Sequence, residues 1–109
     1  MVFVKSTDRP AEQTGPGVTR QVLGYDPTLM MVRFTFEPGA VGALHHHPHR
    51  QVSYIESGRF EVTIAGEKTV LERGDCYFVP PDAVHGVVAL EQGSLVDVFA
   101  PAREDFVKA

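Results

Sequence analysis

A chain of 109 residues is long enough for one domain built around a single core. With 43% hydrophobic residues and a mean hydropathy of -0.07, its composition is that of an ordinary globular protein rather than a fibrous or disordered one. A net charge of -4 with dispersed Lys and Arg excludes a nucleic-acid partner, and no apolar run approaches the ~20 residues of a membrane-spanning helix.

Cys76 is a single cysteine, so no intrachain disulfide forms. The opening Met1–Lys5 lacks the cationic and apolar segments of a signal peptide, and the expected location is the cytoplasm. Residues 1–19, with Pro10, Gly15, Pro16 and Gly17, read as an N-terminal arm or edge strand. Arg20 to Tyr25 reads as a first strand, interrupted by Gly24 and closed by the Asp26-Pro27 turn signal. Leu29 to Glu37 alternates clearly, with Met30, Val32, Phe34 and Phe36 on one face and Met31, Arg33, Thr35 and Glu37 on the other. Pro38-Gly39 stops it.

The next stretch holds four of the five histidines, His45, His46, His47 and His49. In an extended chain side chains alternate with period two, so His45 and His47 point one way and His46 the other. A bend at Pro48 lets Gln51 join the first pair. Two imidazoles and a polar side chain on one face make a metal half-site, since imidazole nitrogen suits zinc, copper, iron and nickel. The remaining histidine, His85, lies far along the chain, and the site needs folding to bring it in. Against this stand a solvated histidine-rich loop and ordinary hydrogen-bonding histidines; the second reading is assigned to His46 and His49.

Arg50 to Glu56 is the following strand, with Gln51, Ser53 and Ile55 on one face and Val52 and Tyr54 on the other. Ser57-Gly58 turns the chain into Arg59 to Ala65, and Gly66 turns it again into Lys68 to Glu72. After Arg73-Gly74-Asp75 come Cys76 to Val79, Val84 to Leu90 and Ser94 to Ala100, with Pro80-Pro81 and Glu91-Gln92-Gly93 between them. Arg50, Ser53, Tyr54, Glu56 and Cys76 read as structural, Cys76 as a small hydrophobe in an apolar strand. The tail, 101–109, has room for one helical turn. No window holds a 3.6-residue period, and short strands with turn signals every 8–12 residues indicate an all-β antiparallel sandwich or barrel in one domain, here residues 20–100.

Two spacings then resemble a known family. The first cupin motif, G-x5-H-x-H-x3-4-E-x6-G, is matched by Gly39, His45, His47, Gln51 and Gly58, with Gln in place of Glu. The second, G-x5-P-x-G-x2-H-x3-N, is matched by Gly74, Pro80 and His85, with departures at Asp82 and Ala89. The resemblance implies a cupin-type β-barrel or jelly roll with His45, His47, Gln51 and His85 as metal ligands. The variant His45-x-His47-Pro48-x2-Gln51 and the run Leu95 to Phe106 are similar to the small cupins of the KdgF pectin-degradation type. That similarity implies an enzyme opening the ring of 4,5-unsaturated monouronates, the sugars left by pectate and alginate lyases, to linear 5-keto-4-deoxyuronate. It also implies Asp97, Phe99 and Arg103 as the other active-site positions.

The residues bear on this chemistry in their own right. Three neutral imidazoles and a neutral amide leave a divalent ion its full charge, which favours Lewis-acid action on an anionic, oxygen-rich sugar. They match the 2-His-1-carboxylate pattern of non-haem iron oxygenases less well. The cofactor expected is one divalent transition metal ion, with nickel, zinc, iron and manganese all open. Asp97 lies between Val96 and Val98, so period two sends Asp97 and Phe99 to one face. Inside a half-desolvated cavity Asp97 serves acid–base catalysis; otherwise it is an edge residue or a hydrogen-bond partner of a ligating histidine. Arg103 has the fork to hold a carboxylate, or pairs at the surface with Glu104 or Asp105. Phe99 is a wall for the sugar, or core. The partners expected are a small anionic sugar and a second copy of the chain, paired through the apolar outer face that carries Val52, Tyr54, Val96 and Val98. The alternatives are another metal cupin enzyme (a dioxygenase, lyase or cyclase acting on a small organic acid) and a non-catalytic cupin that binds a small ligand.

Overall fold

The computed structural model describes residues 2–107, so Met1 and the last two residues of the tail lie outside the described residues. A short 3-10 turn, Ser6–Asp8, precedes ten strands: β1 Glu12–Gly15, β2 Val18–Asp26, β3 Leu29–Phe36, β4 Val41–His45, β5 Arg50–Ser57, β6 Arg59–Ile64, β7 Glu67–Glu72, β8 Cys76–Val79, β9 His85–Ala89 and β10 Gly93–Ala100. A helical turn, α1 Glu104–Val107, follows. The strands form two antiparallel sheets, ordered β1-β2-β3-β10-β5-β8 and β4-β9-β6-β7. Among the described residues no helix is long and apolar enough to cross a membrane.

The alternation in the sequence is the alternation of burial. On β3, Met30, Val32 and Phe36 are buried while Leu29 and Met31 are exposed. On β5, Gln51, Ser53 and Ile55 are buried while Val52 and Tyr54 are exposed. The two inner faces meet over a core that includes Val18, Phe36, Ile55, Phe60, Val62 and Leu95. Phe60 is fully buried and meets the Phe36 ring edge-on, with centroids 5.2 Å apart. Burying a side chain of that size contributes about 1.5–3 kcal/mol, which makes this pair one of the anchors between the sheets. The Ser57-Gly58 turn needs glycine for two reasons. Its φ is +79°, and a Cβ there would lie 2.6 Å from the Gln92 carbonyl oxygen.

Three details differ from the sequence reading. The histidine stretch is not the entry to β5; its first half is a strand of its own, β4, in the opposite sheet. Cys76 is exposed rather than a buried small hydrophobe, because β8 is an edge strand and its even positions face outward with Tyr54 and Val52 of β5. Gly24 falls where the pairing of β2 with β3 shifts register, between Val22 and Tyr25, so the strand continues through it to Asp26.

The most central strand for function is β10. It runs between β3 and β5, with Asp97 opposite Val32 on one side and Ser53 on the other. Its inward residues Leu95, Asp97 and Phe99 are therefore buried in the middle of the larger sheet.

Candidate metal centre

His45, His47 and His85 arrive from three places: the end of β4, the loop after it, and the start of β9. Pairing of β4 with β9 sets His45 opposite His85. The two strands approach closely because Gly86 has no side chain; a Cβ there would lie 2.7 Å from the Gly42 carbonyl oxygen. The His47 loop is tied down by its carbonyl, which accepts the Asp82 N–H at 2.8 Å. Asp82 has a φ of +64°. That left-handed geometry is the one the motif's glycine adopts freely, and Asp is among the residues that tolerate it.

The ligand atoms of His45, His47 and His85 all lie within 4.8 Å of one another, and the three form a group able to hold a metal ion. Their rings are set from behind by the backbone. Nδ1–H donates to the Ala43 carbonyl in His45 (2.8 Å), to the His49 carbonyl in His47 (3.2 Å) and to the Ala83 carbonyl in His85 (2.8 Å). Each ring thus turns an Nε2 lone pair towards the centre, the arrangement that orients metal-bound imidazoles. His85 Nε2 is buried without a hydrogen-bond partner. Burial, with the charge of Arg103 and the neighbouring imidazoles, pushes the His85 pKa down to about 4, and burial followed by the charge of Arg103 also lowers that of His47. Both rings stay neutral near pH 7, the form that binds metal.

Gln51 faces the same centre. Its Nε2 donates to Ser53 Oγ at 2.9 Å, which leaves Oε1 3.0 Å from His47 Nε2. With the His47 proton on Nδ1 these are two acceptors facing one another, an arrangement that a cation between them stabilises; with the proton on Nε2 the ring donates to Gln51 Oε1 instead. Ser53 in turn donates to the Asp97 carboxylate in a short hydrogen bond. Strand register explains the series. Phe99 pairs with Gln51 across β10 and β5, and in the next inward row Asp97 pairs with Ser53, which pairs with Tyr77 of β8.

Burial raises the Asp97 carboxyl to about 7, against the opposing hydrogen bond from Ser53, the charge of Arg103 and the hydrogen bond from Gln51. An acid held near neutrality can give or take a proton at working pH. Asp97 therefore faces the interior, with Val96 and Val98 turned to the outer face. The Phe99 ring is 5.7 Å from that of His47, and Arg103 stacks 5.3 Å from the centre of Phe99. The structure shows Arg103 in an ion pair at the cavity wall. It pairs with Asp105 through Nε and Nη2 at 3.2 and 3.1 Å, yet its side chain is only 13% exposed and lines the cavity.

That cavity, about 430 Å³, is lined by the polar His45, Gln51, His85, Asp97 and Arg103 and by the apolar Val18, Phe34, Val87, Leu95 and Phe99. A few convergent polar groups in an apolar cleft of this size suit one small molecule. His46 is exposed, 3.9 Å from Asp82, and stands apart from the group able to hold metal. His49 contributes its carbonyl, and its ring packs against His47 and Phe99. Sequence reasoning passed over Ser53, Tyr77 and Arg20, all of which touch this site or its cavity. A signal was present for the first: Ser53 is two residues beyond Gln51 and shares its face.

Comparison with known proteins agrees with this geometry. The family model described as "Cupin domain" matches residues 32–99. The pectin degradation protein KdgF of Dickeya dadantii (strain 3937) is 44% identical over 102 residues, covering 92% of this chain and 93% of that protein. Among solved structures, an RmlC-like cupin from Shewanella frigidimarina NCIMB 400 superposes with a TM-score of 0.94 at 44% identity, covering 97% of this chain and 96% of the other. KdgF from Halomonas sp. superposes with a TM-score of 0.92 at 39% identity, covering 97% and 98%. With its two motifs, its three clustered histidines and relatives matched along nearly their whole length, the chain belongs to the cupin family and, within it, to the family of the pectin degradation protein KdgF.

Proposed function

We propose that this chain is a metal-dependent enzyme that converts 4,5-unsaturated monouronates to linear 5-keto-4-deoxyuronate by ring opening. The observation that carries the reading is that Asp97, Phe99 and Arg103 line the same cavity as His45, Gln51 and His85. An acid–base group, an aromatic wall and a cation thus surround the place where a metal-bound sugar would sit. The reading gains from the similarity to the pectin degradation protein KdgF along 92% of the chain.

The reaction is an isomerisation and needs no oxidant. The C1 hydroxyl loses its proton and the C1–O5 bond breaks to leave an aldehyde. The C5 enolate so released takes one proton at C4, balancing the one lost from the C1 hydroxyl, and becomes a ketone. The residues assigned to the metal are His45, His47, His85 and Gln51, the amide oxygen of Gln51 being aimed by its bond to Ser53. A divalent ion held there supplies Lewis-acid polarisation of the sugar oxygens. The role assigned to Asp97 is to carry the proton; its raised proton affinity and its place in the cavity wall support this. Arg103 supplies positive charge for an anionic sugar, and Phe99 gives its ring a flat surface. The test follows the C4=C5 absorbance of unsaturated galacturonate. Loss of absorbance with metal-loaded protein, abolished by a chelator and restored by metal, is the expected result. No change under any metal would contradict the reading.

Two copies are proposed to pair through the outer face of the larger sheet. Register puts Met31, Val98, Val52 and Phe78 in one row across β3, β10, β5 and β8. Met31, Val52 and Phe78 are 43%, 42% and 54% exposed, an apolar strip of the kind that isologous dimers cover. Light scattering at micromolar concentration should give a dimer mass; a monomer mass would contradict it.

A further inference from the structure

Arg20 is a cation on an inward face. It alternates with Val18 and Val22 on β2, pairs across the sheet with Phe34, and lines the same cavity as Asp97 and the histidines. A guanidinium on an apolar face is costly unless something compensates it. Inside the chain it has the face of the Phe106 ring, 4.3 Å from its guanidinium carbon, and one ion pair. Glu12 reaches Nη2 at 3.4 Å, and its own side chain is 64% exposed, against 19% for Arg20. A pair of that length with one solvated partner contributes little.

The comparison with Arg103 is informative. Both guanidinium carbons lie 4.3 Å from the centre of the Phe106 ring, so they are within twice that distance of each other. Arg103 has already committed Nε and Nη2 to Asp105. At Arg20 a single nitrogen makes the one long contact with Glu12. Arg20 therefore has the less occupied fork of the two.

We infer that Arg20 is a substrate-binding residue that receives the carboxylate of the sugar acid, with Arg103, which shares the Phe106 ring, adding its charge. The inference rests on the uronate reading of the cavity and names the group that selects an acid over a neutral sugar. A carboxylate held by a guanidinium fork gains charge-assisted, paired hydrogen bonds that a hydroxymethyl group cannot offer.

The test uses full-length, metal-loaded protein and three variants: Arg20→Gln, Arg20→Lys and Glu12→Gln. With unsaturated galacturonate, Arg20→Gln should raise KM by roughly 10- to 100-fold while kcat moves by less than about threefold and metal content stays constant. Arg20→Lys should fall between it and the parent, because an ammonium keeps the charge without the fork. Glu12→Gln should leave KM within about twofold. Equal effects of Arg20→Gln and Glu12→Gln, or an unchanged KM in Arg20→Gln, would overturn the inference and make Arg20 a structural ion pair. If Arg20→Gln fails to fold, Arg20→Lys decides: a raised KM at an unchanged melting temperature supports the inference and an unchanged KM overturns it. The inert pair D-galacturonate and D-galactose separates this idea from the reaction itself. Should the parent protein fail to turn over the unsaturated sugar, selective loss of galacturonate binding in the Arg20 variants still supports the inference, and equal binding of both sugars by parent and variants overturns it.

Discussion

Gln51 Nε2 donates to Ser53 Oγ at 2.9 Å, and that bond decides which end of the amide faces the histidines. Because Ser53 spends its own proton on Asp97, it has only acceptor capacity left for Gln51. The amide oxygen is thereby turned to His47. One hydroxyl, itself fully buried, links the group proposed to hold metal with the group proposed to carry the proton.

Ser53→Ala removes that link without removing a ligand. Outer partners of this kind are worth about 10- to 100-fold in metal affinity. The expected outcome is a loss within that range in a competitive metal titration, with the fold retained by circular dichroism. An unchanged affinity would mean that packing alone orients Gln51.

His85→Ala should lose most of the bound metal, since it removes the buried, unpartnered Nε2 that closes the cluster. His46→Ala and His49→Ala should keep theirs, because neither ring belongs to the group. Elemental analysis of the three purified variants reads this directly, and full occupancy in His85→Ala would refute the ligand set.

The Asp97 carboxyl gives a pH dependence with a definite sign. Its folded-state value, about 7, lies above its ordinary value of 3.8, so between those limits the folded chain binds more protons than the unfolded one. Stability present at the acid end is therefore lost as pH rises through that window, and it levels off beyond it. In chelator-treated protein, Asp97→Asn should gain on the parent by on the order of 1–4 kcal/mol between about pH 4 and pH 7. Denaturant titrations at several pH values measure the gap; a gap independent of pH would contradict the buried acid.

Much of this was legible beforehand, and the illegible parts have physical causes. Alternation on β3 and β5 reported the buried faces because each has one wet and one dry side. Motif spacing picked out the three histidines that cluster. Sheet membership was hidden: Val41–His45 carries two alanine or glycine positions and exposed hydrophobics, so no alternation marks it as a strand paired with β9. Ser53 looked like filler because a lone serine in a strand is usually that; only the register opposite Asp97 gives it work. Arg20 read as the start of a strand; β2 begins two residues earlier, and the buried Val18 is what marks the face that Arg20 shares.

The most direct measurement is the turnover of unsaturated galacturonate by the parent protein, Asp97→Asn and Arg103→Ala at equal metal content. The account predicts that Asp97→Asn keeps its metal and loses roughly 10²–10⁴ in kcat, because the shape stays while the proton carrier goes. It predicts that Arg103→Ala mainly raises KM, as expected for a group holding the anion in ground and transition states alike. A fully active Asp97→Asn, or a parent protein that leaves the C4=C5 bond untouched, would contradict it.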